Sequence, residues 1–154
     1  MMPSRRHLLG AFALPALLAP ALLAPTGPRA RAATLLSFND LYSGVSPLGL
    51  IFSAKLQGER GHSVTMRGFM APPLKAEARF FVLTEKPMAL CPFCSSDADW
   101  PDNIVVVYLS RPQTFVQYNA PITVTGTLEV GSWRDPDTEF LSLVRLVGAS
   151  FHAV

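Results

Sequence analysis

The chain has few of the residues on which catalytic sites are commonly built. Among its 154 residues there are two cysteines and three histidines, and only 16% of the residues are charged. The sequence contains no Gly-x-Ser-x-Gly, His-Glu-x-x-His or glycine-rich phosphate-loop motif, so serine hydrolases, zinc proteases of that type and P-loop nucleotide-binding proteins are not indicated. The sequence therefore favours a protein without enzymatic activity.

The N-terminal region has the composition of an export signal. Arg5 and Arg6 precede an uncharged stretch rich in Ala, Leu and Pro (residues 8–23), and Ala30-Arg31-Ala32 follows it. A charged start, a short apolar run and a small-x-small site are typical of a cleaved signal peptide. The run is also shorter than the ~20 apolar residues that a membrane-spanning helix requires.

The paired arginines, followed by Leu8-Leu9, favour the twin-arginine route over an ordinary secretory signal. We therefore expect residues 1–32 to be a twin-arginine signal peptide that is cleaved near Ala32. The twin-arginine export machinery would be a partner during secretion. Residues 33–154 would then form a single domain in the periplasm.

Removal of the signal changes the charge of the protein. Four of the 13 Lys and Arg residues precede residue 33, whereas all 11 acidic residues follow it, so the remaining chain has a formal net charge of −2. No cluster of Lys and Arg remains that would neutralise a row of phosphates, so nucleic acid is not expected as a partner. No later segment is long and apolar enough to span a membrane.

The second half of the chain has the residue pattern of β-strands. Five segments are rich in β-branched and aromatic residues or alternate between apolar and polar residues, namely 63–70, 79–84, 104–109, 121–130 and 139–151. Gly68 and Gly126 lie within two of these segments, at points where a small barrel must bend. We predict a mainly β protein with a small five-stranded OB-like barrel, and a small β-sandwich is the alternative.

A short helical extension is expected before the strands. Ser37 and Asp40 have the Ser-x-x-acid spacing of a helix start, and residues 33–36 are expected to form a tail. Residues 48–56 are interpreted as a short helix that ends near Gly58, with a strand as the alternative.

The two cysteines form the motif Cys91-Pro92-Phe93-Cys94, which allows three interpretations. Two thiolates two residues apart can bind one metal ion from a single turn. The same pair can act as a dithiol–disulfide redox centre or form a structural disulfide.

The residues around the motif bear on two of these interpretations. A thioredoxin-type site needs a long helix that starts at the first cysteine, whereas Pro101 and the Asp- and Ser-rich sequence before it leave room for about one turn. A structural disulfide suits an oxidising compartment, but so short a ring removes little entropy from the unfolded chain. Metal binding is therefore the leading hypothesis. The alternative is an interaction module for a membrane partner, with the two cysteines in a structural or redox-labile disulfide, and the third hypothesis is a thiol–disulfide oxidoreductase.

A metal site requires further ligands beyond Cys91 and Cys94. The predicted ligands are His62 and Asp97, and other candidates with suitable side chains are His152, Asp99, Asp102, Met66, Met70 and Met88. Two thiolates with an imidazole or a carboxylate suit zinc, and thiolates with methionine suit Cu(I). The expected cofactor is therefore zinc or another transition metal. The methionines are more simply interpreted as core residues.

Five blocks of the sequence occur in an order that resembles that of a small family of exported bacterial proteins. In chain order, the blocks are Gly61-x-x-Val64-x-Met66-x-Gly68-Phe69-Met70-x-Pro72, Phe80-Phe81-Val82-Leu83, the cysteine-bearing segment, Ile104-Val105-Val106-Val107 and Pro121-Ile122-x-Val124-x-Gly126-x-Leu128. The chain resembles the family catalogued as domain of unknown function 3299 over residues 38–151. The resemblance implies a periplasmic OB-like protein that is accessory to metal handling or to an ABC-type transporter. Cys91 matches the first residue of the family's Cys-x-His loop, and Cys94 replaces the second ligand.

Overall fold

The structure is a computed structural model that describes residues 31–72, 79–89 and 100–154. These residues are mainly β. The strands are β1 (Thr34–Leu36), β2 (Tyr42–Ser46), β3 (Gly49–Phe52), β4 (Ser63–Met70), β5 (Phe80–Thr84), β6 (Ile104–Leu109), β7 (Pro121–Arg134) and β8 (Leu141–Ala153). A 3-10 helix (Phe38–Asp40) and one short α-helix, α1 (Ala54–Gly58), accompany them. Neither helix among the described residues has the length and apolar character needed to cross a membrane.

Strand pairing links five strands in a closed order. β4 is antiparallel to β5 and to β7, β5 is antiparallel to β6, and β7 is antiparallel to β8. β6 and β8 are parallel, so the order of pairing is β4–β5–β6–β8–β7 and back to β4. The five strands predicted from the sequence are confirmed, and β7 extends four residues further than predicted.

Two glycines allow close approaches between neighbouring strands. A Cβ atom on Gly68 would lie 2.6 Å from the carbonyl oxygen of Thr84 in β5, and one on Gly126 would lie 2.9 Å from the Cβ of Ala149 in β8. At Gly126 the register between β7 and β8 also shifts, which is the mark of a β-bulge. The predicted irregularity is therefore confirmed at Gly126, whereas the pairing of β4 with β7 runs without a shift through Gly68.

One face of the strands encloses the main hydrophobic core. Alternate residues of β4 and β7 are buried while their neighbours are not, as a half-buried strand requires. Met66 and Met70 belong to this core, with 0% and 1% of their surface exposed. The interpretation of these two methionines as core residues is confirmed, and neither is available as a surface metal ligand.

The opposite face of β5 and β6 is buried as well. Phe80 and Val82 of β5 and Ile104 and Val106 of β6 pack in a second cluster with Trp100, Phe140 and Leu143. Because both faces are covered, β5 and β6 are continuous apolar runs and not alternating ones. The first four residues of β6 are accordingly all buried.

A buried arginine, Arg145, packs at one edge of the opposite face of the sheet. Arg145 is 8% exposed, its Nε donates a hydrogen bond to Glu129 at 2.8 Å, and one of its amino groups donates to the carbonyl of Gly131 at 2.8 Å. Its guanidinium also lies 5.1 Å from the ring centre of Trp133, which in turn meets Tyr108 edge-to-face at 5.4 Å. These contacts compensate the buried positive charge of Arg145. We therefore interpret Arg145 as a residue that contributes to packing.

The N-terminal part differs from the prediction. Residues 34–36 form β1, which pairs in parallel with β4, because Leu36 is 1% exposed and contributes to the core. The tail predicted for residues 33–36 is therefore wrong from Thr34 onward.

The helix predicted for residues 48–56 is also wrong in its first half, where the chain forms a hairpin of β2 and β3. Gly49 has a φ of 112° in the turn, a conformation that glycine adopts without steric cost. Only α1 is helical, and it begins after Ser53, whose hydroxyl accepts a hydrogen bond from the Leu56 N–H at 3.0 Å. The strand alternative therefore applies to β3 and the helix to α1.

The close approach at Gly68 predicts a substitution effect. Gly68→Ala should destabilise the fold by about 1–3 kcal/mol, because the added methyl group meets backbone that cannot move independently of the sheet. Gly44→Ala in β2 is the matched control, since a Cβ atom there meets nothing within 4 Å. Denaturant unfolding of both variants measures the difference. Equal midpoints would show that β4 and β5 are not held this closely.

Candidate functional site

The cysteine motif belongs to the connection between β5 and β6. Thr84 at the end of β5 pairs with Ile104 at the start of β6, and the Glu85 N–H donates to the Asn103 carbonyl at 3.1 Å. The connection between β5 and β6, residues 85–103, therefore has its two ends joined, and it is called the cysteine-bearing loop below. The structure describes residues 85–89 and 100–103 of it.

The start of the loop is fixed by a buried threonine. Thr84 is 0% exposed, and its hydroxyl lies 2.7 Å from the carbonyl oxygen of Lys86 and 3.2 Å from that of Phe69 in β4. A buried hydroxyl with such acceptors favours one conformation, because leaving it unbonded would cost about 1–3 kcal/mol. The first two residues of the loop are therefore attached to the sheet.

The end of the loop is fixed by Trp100. This side chain is 8% exposed, and its Nε1 donates a hydrogen bond to the Tyr42 hydroxyl at 3.0 Å. Burial raises the pKa of the Tyr42 phenol, so the group stays neutral and can accept this bond. Trp100 thereby ties the end of the loop to β2.

A polar pocket lies at the base of the loop. It has a volume of about 160 Å³ and is lined by Phe38, Asn39, Tyr42, Glu85, Asp102 and Asn103. Glu85 and Asp102 stand at the two ends of the loop, and both line this pocket together with the two asparagines. Carboxylate and amide oxygens are suitable ligands for a cation or partners for a polar ligand.

The 3-10 helix that carries Phe38 and Asn39 is held by Asp40. The Asp40 carboxylate accepts hydrogen bonds from the backbone N–H and the hydroxyl of Ser37, each at 2.8 Å. It also lies 2.9 Å from the Lys55 ammonium. The Lys55 ammonium and then the Ser37 N–H lower the pKa of Asp40 to about 2. The Ser-x-x-acid prediction of a helix start is confirmed.

The predicted metal ligands are placed as follows. Cys91, Cys94 and Asp97 lie outside the described residues. His62 is exposed and directly precedes β4. Since Phe69 pairs with Thr84, His62 lies seven residues along the chain from the level of the loop's start, or roughly 23 Å at the rise of an extended strand.

The other candidate ligands are more dispersed. His152 lies within β8 and pairs with Thr123 of β7. Asp102 is in the pocket. In the described ranges, no three His, Cys, Asp or Glu side chains are close enough to hold one metal ion. A complete site therefore needs ligands from the cysteine-bearing segment.

Sequence reasoning missed Glu85, Asn39 and Asn103. They come from two separate parts of the chain and share no motif, so only the fold brings them together. Asp102 was singled out because it follows the cysteines closely. A weak signal for Glu85 was its position directly after a predicted strand.

The Asp40 contacts predict a pH effect on stability. The pKa of Asp40 is about 2 in the folded protein and 3.8 without these contacts. The contribution of its carboxylate to the free energy of unfolding is therefore present above pH 4 and is lost as the pH falls toward 2. The wild type should lose about 1 kcal/mol more than Asp40→Asn between pH 5 and pH 2, after allowance for solvent screening. Denaturant unfolding at each pH measures this, with Asp137→Asn as a control at an exposed carboxyl. Identical pH profiles of the wild type and Asp40→Asn would contradict the role of Asp40.

Comparison with known proteins gives a match at the level of structure. No protein-family model matches the chain, and no curated protein matches it. The crystal structure of a DUF3299 family protein from Pseudomonas aeruginosa PAO1 is similar, with a TM-score of 0.53 and 14% sequence identity over 80% of this chain and 97% of that chain. The resemblance to domain of unknown function 3299 is therefore confirmed at the level of the fold, which this chain shares with a protein of that family.

Proposed function

We propose that the protein binds a transition metal, with zinc favoured, through Cys91 and Cys94, and that it acts in the periplasm without catalysing a reaction. The observation that carries the proposal is the attachment of the cysteine-bearing loop at both ends. Thr84 and the Glu85–Asn103 hydrogen bond hold its base, and Trp100 holds its C-terminal end against Tyr42. A site on such a loop has a rigid support.

Oxygen ligands are available at the base of the same loop. Cys91 follows Glu85 by six residues and Cys94 precedes Asp102 by eight. At up to ~3.3 Å per residue, either span is long enough for the chain to return to the pocket. Glu85 and Asp102, which line the pocket, are therefore better placed than His62 to complete a site with the two thiolates. Asp97 is proposed as a further ligand because it is close to the cysteines in the sequence. Two sulfur and two oxygen or nitrogen ligands suit tetrahedral zinc.

We further propose that the five linked strands form an OB-like barrel. The closed pairing order and the parallel pair β6–β8 support this, as do the glycines at the two close approaches. In an OB-fold the outer face of the second and third strands is a common ligand surface. Here the corresponding strands would be β5 and β6, whose outer face is buried by the second cluster. This favours the loop over the sheet face as the binding site.

The proposed location follows from the N-terminal sequence. Residues 1–32 would direct export by the twin-arginine route, which transports folded proteins and would permit a metal to be loaded beforehand. An accessory role in metal handling or beside an ABC-type transporter is proposed from the resemblance stated above.

The metal proposal predicts the content of the purified protein. Native mass spectrometry of protein isolated from the periplasm should show one zinc ion per chain, and Cys91→Ser and Cys94→Ser should each lose it. Ser95→Ala, in the same segment, should keep the metal. Glu85→Gln together with Asp102→Asn should weaken zinc binding by about tenfold or more, and His62→Ala should leave it unchanged.

Other results of this experiment would point to the competing interpretations. A metal-free mass two protons lower, restored by reductant, would indicate a disulfide and contradict the metal proposal. If the reductant-treated dithiol form of that protein also reduced a model disulfide, becoming a disulfide itself, and Cys91→Ser abolished the activity, the pair would be a thiol–disulfide redox centre.

The export proposal predicts a separate effect. Arg5→Lys together with Arg6→Lys should leave the precursor in the cytoplasm, because the twin-arginine route depends on this pair. Arg29→Lys together with Arg31→Lys conserves the same charge outside the motif and should not block export. Cell fractionation with immunoblotting measures both. Normal export of the first double variant would indicate an ordinary secretory signal.

A further inference from the structure

The hairpin of β2 and β3 carries apolar side chains that do not contact the core. Leu48 is 99% exposed, Val45 76% and Ile51 47%. Their neighbours Tyr42 and Phe52 stack at 5.7 Å and pack against the hydrophobic clusters. The base of the hairpin is thus anchored to the domain, and its tip is exposed and apolar.

The hairpin also lacks charge. From Leu41 to Ala54 there is no Asp, Glu, Lys, Arg or His. Exposed loops at protein surfaces usually carry polar or charged residues. A group of exposed apolar side chains is typical of a site that contacts a membrane or another molecule. The tip therefore has the composition of a surface that is covered in the working protein.

Two polar backbone groups of the turn have hydrogen-bond partners within the turn itself. Pro47 has no N–H, and the Leu48 N–H donates to the Ser46 hydroxyl oxygen at 3.2 Å. The Ser46 hydroxyl donates to the Gly49 carbonyl at 3.1 Å. An unsatisfied backbone group costs several kcal/mol in an apolar medium, so this turn can leave water at a lower cost than an ordinary polar turn.

The exposed area distinguishes a lipid surface from a protein partner. Val45, Leu48 and Ile51 together offer at most on the order of 350 Å² of apolar surface, whereas a stable protein interface buries about 800 Å² on each partner. A lipid surface needs only a few apolar side chains, which enter the boundary between headgroups and acyl chains. The area thus favours lipid.

We propose that the tip of this hairpin, Val45 to Leu48, inserts into the surface of a lipid bilayer and holds the protein there reversibly. The cation nearest in sequence, Lys55, is paired with Asp40. The insertion therefore depends on apolar contact and only weakly on anionic lipid or salt. This inference is independent of the cysteine pair.

Vesicle binding tests the proposal. Processed protein from the periplasm should sediment with vesicles of phosphatidylethanolamine and phosphatidylglycerol, at both low and high salt. Leu48→Ser should lower the lipid partition coefficient by about tenfold or more. Leu35→Ser is the matched control, because Leu35 is 70% exposed but lies on β1, away from the hairpin tip in the sequence. This variant should bind vesicles as the wild type does. Any residual signal peptide would affect all variants equally.

A second measurement locates the inserted residue. In Leu48→Trp, the added tryptophan fluorescence should be quenched by brominated lipid, whereas that of Leu35→Trp should not. Wild type that stays in the supernatant at high lipid, or Leu48→Ser that binds unchanged, would overturn the proposal. Self-association lost in Leu48→Ser, without vesicle binding, would assign the tip to a second copy of the chain and overturn it too.

Discussion

Strand β4 pairs with three other strands, and the rest of the structure depends on this arrangement. Along one edge it hydrogen-bonds with β7 over seven residue pairs, from Ser63 to Phe69. Along the other edge it pairs first with β1 and then, beyond Gly68, with β5. Because Gly68 has no Cβ, the carbonyl of Thr84 can approach β4 closely. The same contact fixes the last residue of β5 and hence the start of the cysteine-bearing loop.

The close pairing of β4 with β5 determines the geometry of the candidate site. Thr84 sits between the sheet and the loop, and Glu85 follows it into the pocket. The second cluster holds Trp100 against β6, which positions the end of the loop beside Tyr42. The N-terminal elements complete the pocket through Phe38 and Asn39. The site is therefore a meeting point of the sheet, the loop and the N-terminal extension.

The β-strands of the second half could be predicted from the sequence because their signal is local. The alternation of β4 and β7 and the continuous apolar run of β6 each reflect burial of the strand itself. For the hairpin of β2 and β3 the sequence offered a strand only as the alternative for residues 48–56, since the deciding contacts come from Tyr42 and Phe52 and arise only after folding. β1 was missed because three residues carry too little pattern. The pocket depends on residues that are adjacent only after folding.

The cysteine pair remains the centre of the functional proposal. X-ray absorption spectroscopy of the reduced, zinc-loaded protein tests it most directly, because zinc–sulfur distances of ~2.3 Å differ from zinc–oxygen or zinc–nitrogen distances of ~2.0–2.2 Å. We expect two sulfur and two lighter ligands for each zinc ion. A spectrum with no sulfur ligand, or with four, would contradict a site built from Cys91 and Cys94 of one chain together with the pocket at the base of the loop.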